Sequence, residues 1–212
     1  PFRPEQQQNE TQVTMEFGAV LIPPRRAAMV RGGYWHDRTI NDDLDACLAE
    51  CPDKLALTAV SLDAGTTRRF TYRALATMAD RIAVGLVRLG VGASDVVSCQ
   101  LPNWWQFTLT CLACSRIGAV MNPLMHIFRE RELSFMLAHG QSKVAIVPKV
   151  FRGFDYEAML RGISGNLPDL QHVLVVGGSG PDSFEARLTE PAWEREPDAR
   201  AILTRSRPGP DD

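Results

Sequence analysis

Cysteine offers the first chemistry to consider. Cys111-Leu-Ala-Cys114 is a C-x-x-C pair, and Cys47 and Cys51 stand four residues apart. Such pairs do redox chemistry where a helix N-terminus lowers a thiol pKa, and they hold zinc where four ligands converge. The pattern meets neither condition. Cys111 and Cys114 fall in the second half of an apolar helical stretch, and the Cys47/Cys51 spacing lacks the tight knuckle of a zinc ribbon. The four histidines, His36, His126, His139 and His172, are scattered. Small buried core cysteines are therefore expected, with no metal ligand and no catalytic thiol.

Glycine and arginine offer phosphate chemistry. His172-Val-Leu-Val-Val runs into Gly177-Gly-Ser-Gly, the strand-to-loop order of a nucleotide site. It lacks the third glycine of G-x-G-x-x-G and any following Lys-Ser/Thr, so a plain strand-to-helix turn competes with a cradle. Ala64-Gly-Thr-Thr-Arg lies between two short strands, where a glycine turn suffices. Arg129-Glu-Arg-Glu places charges at a helix start, with a phosphate role open to its arginines. Trp104-Trp105 with Phe107 supplies either an aromatic ligand wall or core filling, because aromatic side chains bury large areas without needing a ligand.

The elements that must position these groups follow from periodicity. Residues 1–33, polar and then Pro-interrupted, read as a tail or wrapping arm, with Met15 a candidate start. Thr39-Ile-Asn-Asp-Asp opens a helix to about Glu50, closed by Pro52. LALTAV and RRFTY, separated by Asp63-Ala-Gly-Thr, predict a hairpin. Thr71 caps a long helix whose Leu75, Met78, Ile82, Leu86 and Leu89 form one stripe, stopped at Gly90 and Gly92. DVVSCQL is a buried strand, Pro102-Asn103 a turn and N-cap, and Trp104 to Ile117 a helix apolar on almost every face. After Gly118 come a short strand (AVMNP), a helix from about Arg129 to His139, strand KVAIVP, helix YEAMLRGI and strand HVLVV. Strands alternating with helices predict an α/β fold with a largely parallel sheet flanked by helices. From Glu185 the chain turns polar; residues 34–190 make one α/β unit, and 191–212 read as a linker.

Composition limits the partners. In 212 residues there are 25 acidic and 23 basic side chains, a net charge of -2. That leaves no electrostatic footprint for nucleic acid. No stretch approaches the ~18 consecutive apolar residues of a spanning helix, and the polar start lacks a secretory apolar region, so no integral membrane contact and a cytoplasmic location are expected. The five cysteines suit a reducing compartment better than a disulfide scaffold. Arginine outnumbers lysine 20 to 3, the lysines being Lys54, Lys143 and Lys149. Homo-oligomerisation stays open.

Four stretches carry a resemblance: FTYRAL (70–75), LVRLGVGASDVVSCQLPNWWQF (86–107), ACSRIGAVMNPLMHIFRERELSFML (113–137) and SKVAIVP (142–148). Together they resemble the N-terminal part of the AMP-forming acyl-CoA synthetases, the adenylate-forming ligases, the third stretch being similar to that family's first core region. NWWQF with NPLMHIFREREL resembles, more narrowly, the cyclohexanecarboxylate-CoA ligase and medium-chain acyl-CoA ligase branch, although His126 stands where proline is common.

The resemblance implies an enzyme that uses ATP, Mg²⁺ and CoA to convert a cyclic or medium-chain carboxylic acid to an acyl adenylate and then to a thioester. The family's phosphate loop, YTSGTTG-x-PKG, does not occur here, and RSRPGPDD resembles the linker leading into it. The chain is thus expected to be an incomplete N-terminal subdomain, inactive alone and binding none of these ligands tightly. No catalytic residue carries over, and cofactor-binding residues stay unassigned. Thr71, Asn103, Gly118, Asn122 and Pro123 match family positions, where caps and turns explain them. Three alternatives remain: a nucleotide-binding module using GGSG, a thiol redox protein using Cys111 and Cys114, and an adenylating enzyme with another acceptor, such as a carrier-protein thiol or luciferase-like oxidation.

Overall fold

A computed structural model describes residues 22–62 and 65–211. Within them the chain forms, in order, α1 (Pro23–Arg31), α2 (Ile40–Glu50), β1 (Leu55–Ser61), β2 (Thr66–Thr71), α3 (Tyr72–Arg88), β3 (Val96–Cys99), α4 (Trp105–Ile117), β4 (Val120–Pro123) and α5 (Glu130–His139). There follow β5 (Ser142–Pro148), β6 (Val150–Phe151), β7 (Phe154–Asp155), α6 (Tyr156–Ser164), β8 (His172–Val176) and, after irregular helical turns, α7 (Ala199–Ser206). Residues 1–21 of the expected arm, with Met15, lie outside the described residues, as do Asp63 and Ala64 of the hairpin turn.

Four parallel strands form the central sheet in the order β4-β3-β5-β8. The unbroken apolar run of β5 suits a strand covered on both sides. Val144 and Ile146 face one core with α3 and α4, whereas Ala145 and Val147 face a second core with α5 and α6. The α/β expectation therefore holds, and its crossover helices cover both faces of the sheet. β1 and β2 pair antiparallel as a separate hairpin.

Local signals place the helices. The Thr71 hydroxyl accepts from the Ala74 amide at 3.2 Å and starts α3. Beyond α3, Gly90 takes φ +84°, and the Val91 amide returns to Leu86 O at 3.0 Å, closing the helix in a left-handed turn that glycine adopts without strain. At α2 the acidic first turn does more than complement the dipole. Asp42 accepts from the Thr39 amide at 2.7 Å, and its own amide donates to the Thr39 hydroxyl at 3.4 Å.

Three local readings change. Residues 23–31, within the expected arm, are helical: prolines suit a first helical turn because their missing N–H has no intrahelical partner there. None of the α1 side chains is buried, so no apolar stripe betrays the helix. Helix α4 begins one residue later than expected, with Trp104 rather than Asn103 at the N-cap position and no side-chain cap. Finally, the stretch after β8, from Phe184 in the α/β unit through the residues 191–212 read as a linker, packs against α3. Phe184, Leu188, Ala199 and Ile202 are buried, and Gly85 admits Leu188 and Trp193 so closely that a Cβ there would lie 2.8 Å from Leu188 Cδ2.

Arginine forks strap this stretch down. Arg81 donates twice to Glu194 at 2.7 Å, and once to Thr189 O at 2.8 Å. Arg88 meets Asp198, and Arg207 meets both Asp42 and Asp45. The Arg81 hydrogen bond holds the Glu194 carboxyl below the usual range. Glu194→Ala should cost roughly 1.5–3 kcal/mol, the range for hydrogen bonds to charged groups. Faster amide exchange confined to residues 185–206, with a lower urea midpoint, is the expected readout.

The Thr39 amide, then the Thr39 hydroxyl and Arg207, hold the Asp42 carboxyl at about 2 against its ordinary 3.8. A depressed carboxylate stabilises the fold above its ordinary pKa and loses that contribution as pH falls through the folded value. In Asp42→Asn, the fall in stability between pH 3.8 and about 2 should be shallower than in the parent chain, as read by acid titration of far-UV circular dichroism.

Candidate functional site

From the central strand β3 the chain passes first to β4 on one side and later to β5 on the other. Loops that leave neighbouring strands in opposite directions open a crevice at the carboxyl ends, where ligands of open α/β sheets bind. A cavity of about 670 Å³ lies there, walled by the hairpin (Val60, Thr66 to Arg68), the start of α4 (Asn103 to Gln106), Lys149 and Val150 after β5, and Gly177 after β8. Its size is that of a small-molecule site.

Aromatic residues order one side. The Arg68 guanidinium lies 4.1 Å from the Trp105 ring centre and 4.9 Å from Phe70, a stacking contact between cation and ring quadrupole. Trp104 meets Phe151 edge-on at 5.8 Å, and Phe151 meets His126 at 5.3 Å. Trp104 and Trp105 pack half-buried against the larger core, as the core reading expects, and also line the cavity. Phe107 packs on the core alone.

The glycine loop does not supply a free cradle. Gly177 has φ +73°, and its amide donates to the Glu185 carboxylate at 3.2 Å. Ser183 Oγ donates to the same carboxylate at 3.3 Å. An internal anion thus holds the amide that a phosphate would need. Arg129 is engaged as well: its Nη1 donates to His126 O and Phe128 O at 2.8 Å, and its guanidinium covers the Phe154 ring at 4.0 Å. It fixes a loop and offers no open phosphate contact.

The thiols are packed. Cys99 and Cys114 are buried, Cys111 is half-buried, and all five cysteines are free. Burial pushes Cys99 up to about 12 and raises Cys111 and Cys114 too, the opposite of an activated thiol. Among the described residues no group of three or more His, Cys, Asp or Glu is placed to hold a metal ion.

Family-matched positions serve the frame. Thr71 caps α3, and Gly118 ends α4 at φ +68°. Asn122 does more than turn the chain. Its Nδ2 donates to Ser98 Oγ at 2.8 Å, and Ser98 and Ser142 hydroxyls meet at 2.7 Å, joining three strands. Sequence reasoning passed over Gln100, whose Nε2 donates to both Met125 O and Phe128 O at 3.0 Å. With the Tyr156 hydroxyl on His126 O at 2.6 Å, it clamps the loop after β4. Arg68 ends the Ala64-Gly-Thr-Thr-Arg stretch weighed as a phosphate loop, and it stacks on Trp105 beside the cavity that Lys149 also lines.

Residues 44–212 match the family described as AMP-binding enzyme. The chain belongs to that family. It is 35% identical over 193 residues to the salicyl-AMP ligase / salicyl-S-ArCP synthetase of Mycobacterium tuberculosis, covering 88% of this chain and 34% of that protein. It is 30% identical over 183 residues to the medium-chain fatty-acid–CoA ligase of Escherichia coli, covering 86% of this chain and 31% of that protein. Among solved structures, an apo form of MbtA from Mycobacterium smegmatis superposes with a TM-score of 0.62 at 29% identity, over 89% of this chain and 31% of the other. A structure titled as a putative long-chain-fatty-acid CoA ligase from Rhodopseudomonas palustris gives 0.61 at 29% identity, over 73% of this chain and 37% of the other. The chain thus spans about a third of the length of these relatives. Its fold is that of the adenylate-forming ligases over this span.

In the native chain, a chromophoric disulfide reagent should modify the half-buried Cys47 and Cys51 well before Cys99 and Cys114, which should react only with added urea. Replacing Cys111 and Cys114 together by alanine should lower the urea midpoint and leave any ligand binding unchanged. Loss of binding in a still-folded double variant would assign those thiols a chemical role.

Proposed function

We propose that this chain is the N-terminal α/β part of an ATP-dependent carboxylic acid ligase acting on a cyclic or medium-chain acid. The observation that carries the reading is the family match over residues 44–212. A carboxylate resists nucleophiles because its charge is delocalised and its leaving group would be oxide. Attack of the carboxylate oxygen on the α-phosphorus of ATP expels pyrophosphate and leaves an acyl adenylate. A thiolate then attacks the acyl carbon, AMP departs, and a thioester forms, with CoA as the proposed acceptor.

The residues of the crevice do not fit Mg²⁺ or a triphosphate. Among the described residues Glu185 is the one carboxylate lining it, and the Gly177 amide and Ser183 hydroxyl already engage it. The proposal therefore assigns no catalytic, metal or nucleotide residue to this chain and expects it to be inactive alone. Residues 34–190 supply one wall of the ligase, and 191–212 lead towards a phosphate loop outside these residues. No helix among the described residues is long and apolar enough to cross a membrane; the proposal adds a cytoplasmic setting, supported by the five free thiols.

The relative from Mycobacterium tuberculosis, named for salicyl-S-ArCP synthesis, favours a second acceptor, a carrier-protein thiol. The two readings share the first step. The complete gene product should release pyrophosphate from ATP when given cyclohexanecarboxylate, octanoate or salicylate, and added CoA or carrier protein should then release AMP. Absence of carboxylate-dependent pyrophosphate across a broad acid panel would overturn the ligase reading. Calorimetry with ATP should show no tight binding to the 212-residue chain, whereas micromolar saturation would favour a stand-alone nucleotide module.

A further inference from the structure

Strand β4 ends the central sheet on one side. Beside it lies a groove of about 360 Å³, lined by Met121, Pro123, Leu124 and Phe128 and by Phe135 and Met136 of α5. Among the described residues no Asp, Glu, Lys or Arg lines it. Phe135 stands 68% exposed at the middle of α5, and the loop that supplies Leu124 and Phe128 also carries Met125 and Ile127, 55% and 61% exposed. Open aromatic and Met side chains with no charge among them have the composition of a protein–protein interface core. The groove shares no lining residue with the crevice.

The edge of the sheet itself refuses a further strand. The Val120 amide donates to Asp95 O and the Leu124 amide to Cys99 O, both at 2.9 Å, so the even-numbered amides of β4 face β3 and the odd-numbered ones face outward. Of the outward positions in the strand, Met121 has an N–H and Pro123 has none. One donor cannot support a ladder. The occupant must therefore be met through side chains, as a helix is.

Helix α5 has the pattern to fill that role against a copy of itself. Arg131, Phe135 and Ala138, at spacings of four and three, form one stripe of exposed residues. Two such helices set antiparallel about a two-fold axis near Phe135 bring Arg131 of one over Ala138 of the other, long against small, with the two Phe135 rings side by side. The ends match as well. Glu130 opens the helix and His139 closes it, so each carboxylate faces an imidazole of the other copy, and the helix dipoles oppose. Phe135 holds that imidazole in place, the two rings stacking at 5.4 Å.

We propose that this face is an interface between two copies of the chain, an isologous dimer with α5 packed on α5 and Phe135 seated at the groove beside β4. The assignment is independent of the ligase reading and leaves the crevice open. A helix of ten residues is about 15 Å long, so the contact is small and self-association in the micromolar range is expected.

Sedimentation velocity of the 212-residue chain and of the complete gene product, across the micromolar range, tests the assignment. Both should pass from monomer to dimer as concentration rises, with no larger species, because a two-fold interface is closed. Phe135→Glu should weaken association at least about thirtyfold, the scale of an interface hot spot. At 68% exposure this side chain is outside the core, so an unchanged urea midpoint separates lost association from unfolding. Glu130→Lys and His139→Glu should each weaken the dimer several-fold, and the double variant should restore it, since the exchanged charges again face each other. Monomer at every concentration overturns the proposal, as does a dimer that survives Phe135→Glu or a double variant no stronger than the single ones. A dimer of the chain with a monomeric complete product overturns it too, the face then being covered within one polypeptide. The ligase reading is judged by pyrophosphate release, which none of these outcomes decides.

Discussion

A helix with no exposed face dictates the arrangement of its neighbours, and α4 is such a helix. Every residue from Trp105 to Ile117 is buried or half-buried, so α2, α3 and α7 must close around it while the sheet lies beneath. Its one charge, Arg116, cannot reach water and must be matched inside. Asp45 and Asp80 do so at 2.9 Å, which fixes α2 and α3 against α4 in one register. Arg116 is buried while Asp45 and Asp80 keep part of their surface in water, so the desolvation of the guanidinium offsets much of the attraction. Burial raises the Asp80 carboxyl even with Arg116 beside it, which shows desolvation outweighing the neighbouring charge.

The bias towards arginine acquires a structural meaning from the same neighbourhood. On a solvated surface arginine and lysine are nearly equivalent, and composition alone gave no reason to separate them. The forks from Arg81 to Glu194 and from Arg207 to Asp42 and Asp45 are bidentate or bridging contacts, which a single ammonium cannot reproduce. They hold the irregular stretch after β8 onto α3 through Arg81 and onto α2 through Arg207, beside the anchors Phe184, Leu188 and Ile202.

The elements legible in the sequence were those whose burial repeats along the chain. The stripe of α3, the unbroken apolar run of β5 and the glycine stops at Gly90 and Gly118 each state a local structure within a few residues. What escaped was written across distance. Phe184, Leu188 and Ile202 sit among polar residues at no helical period, and their partners, Val84 and Gly85, lie a hundred residues away. A glycine in the middle of α3 was the available hint, since it is costly in a helix unless something packs against it. The candidate site shows the same division. The tryptophans stood out by type, whereas Arg68, Lys149 and Gln100 gain their roles from three separate elements meeting at one sheet edge.

That meeting follows from the strand order. With β3 central and its two neighbours entered in opposite directions, the backbone parts at the carboxyl end, and side chains must bridge the gap. Gln100 does so on one flank, tying the loop after β4 to the end of β3, with Tyr156 and Arg129 holding the same loop through its carbonyls. On the other flank the β1–β2 hairpin brings Arg68 over Trp105. Polar atoms of Gln100, Tyr156 and Arg129 hold the loops, and the described residues lining the crevice combine the faces of Trp104 and Trp105 with Arg68, Lys149 and the hydroxyl and amide groups of Thr66, Thr67, Asn103 and Gln106. The strand order that ties these loops together thus also opens the crevice between the hairpin and the start of α4.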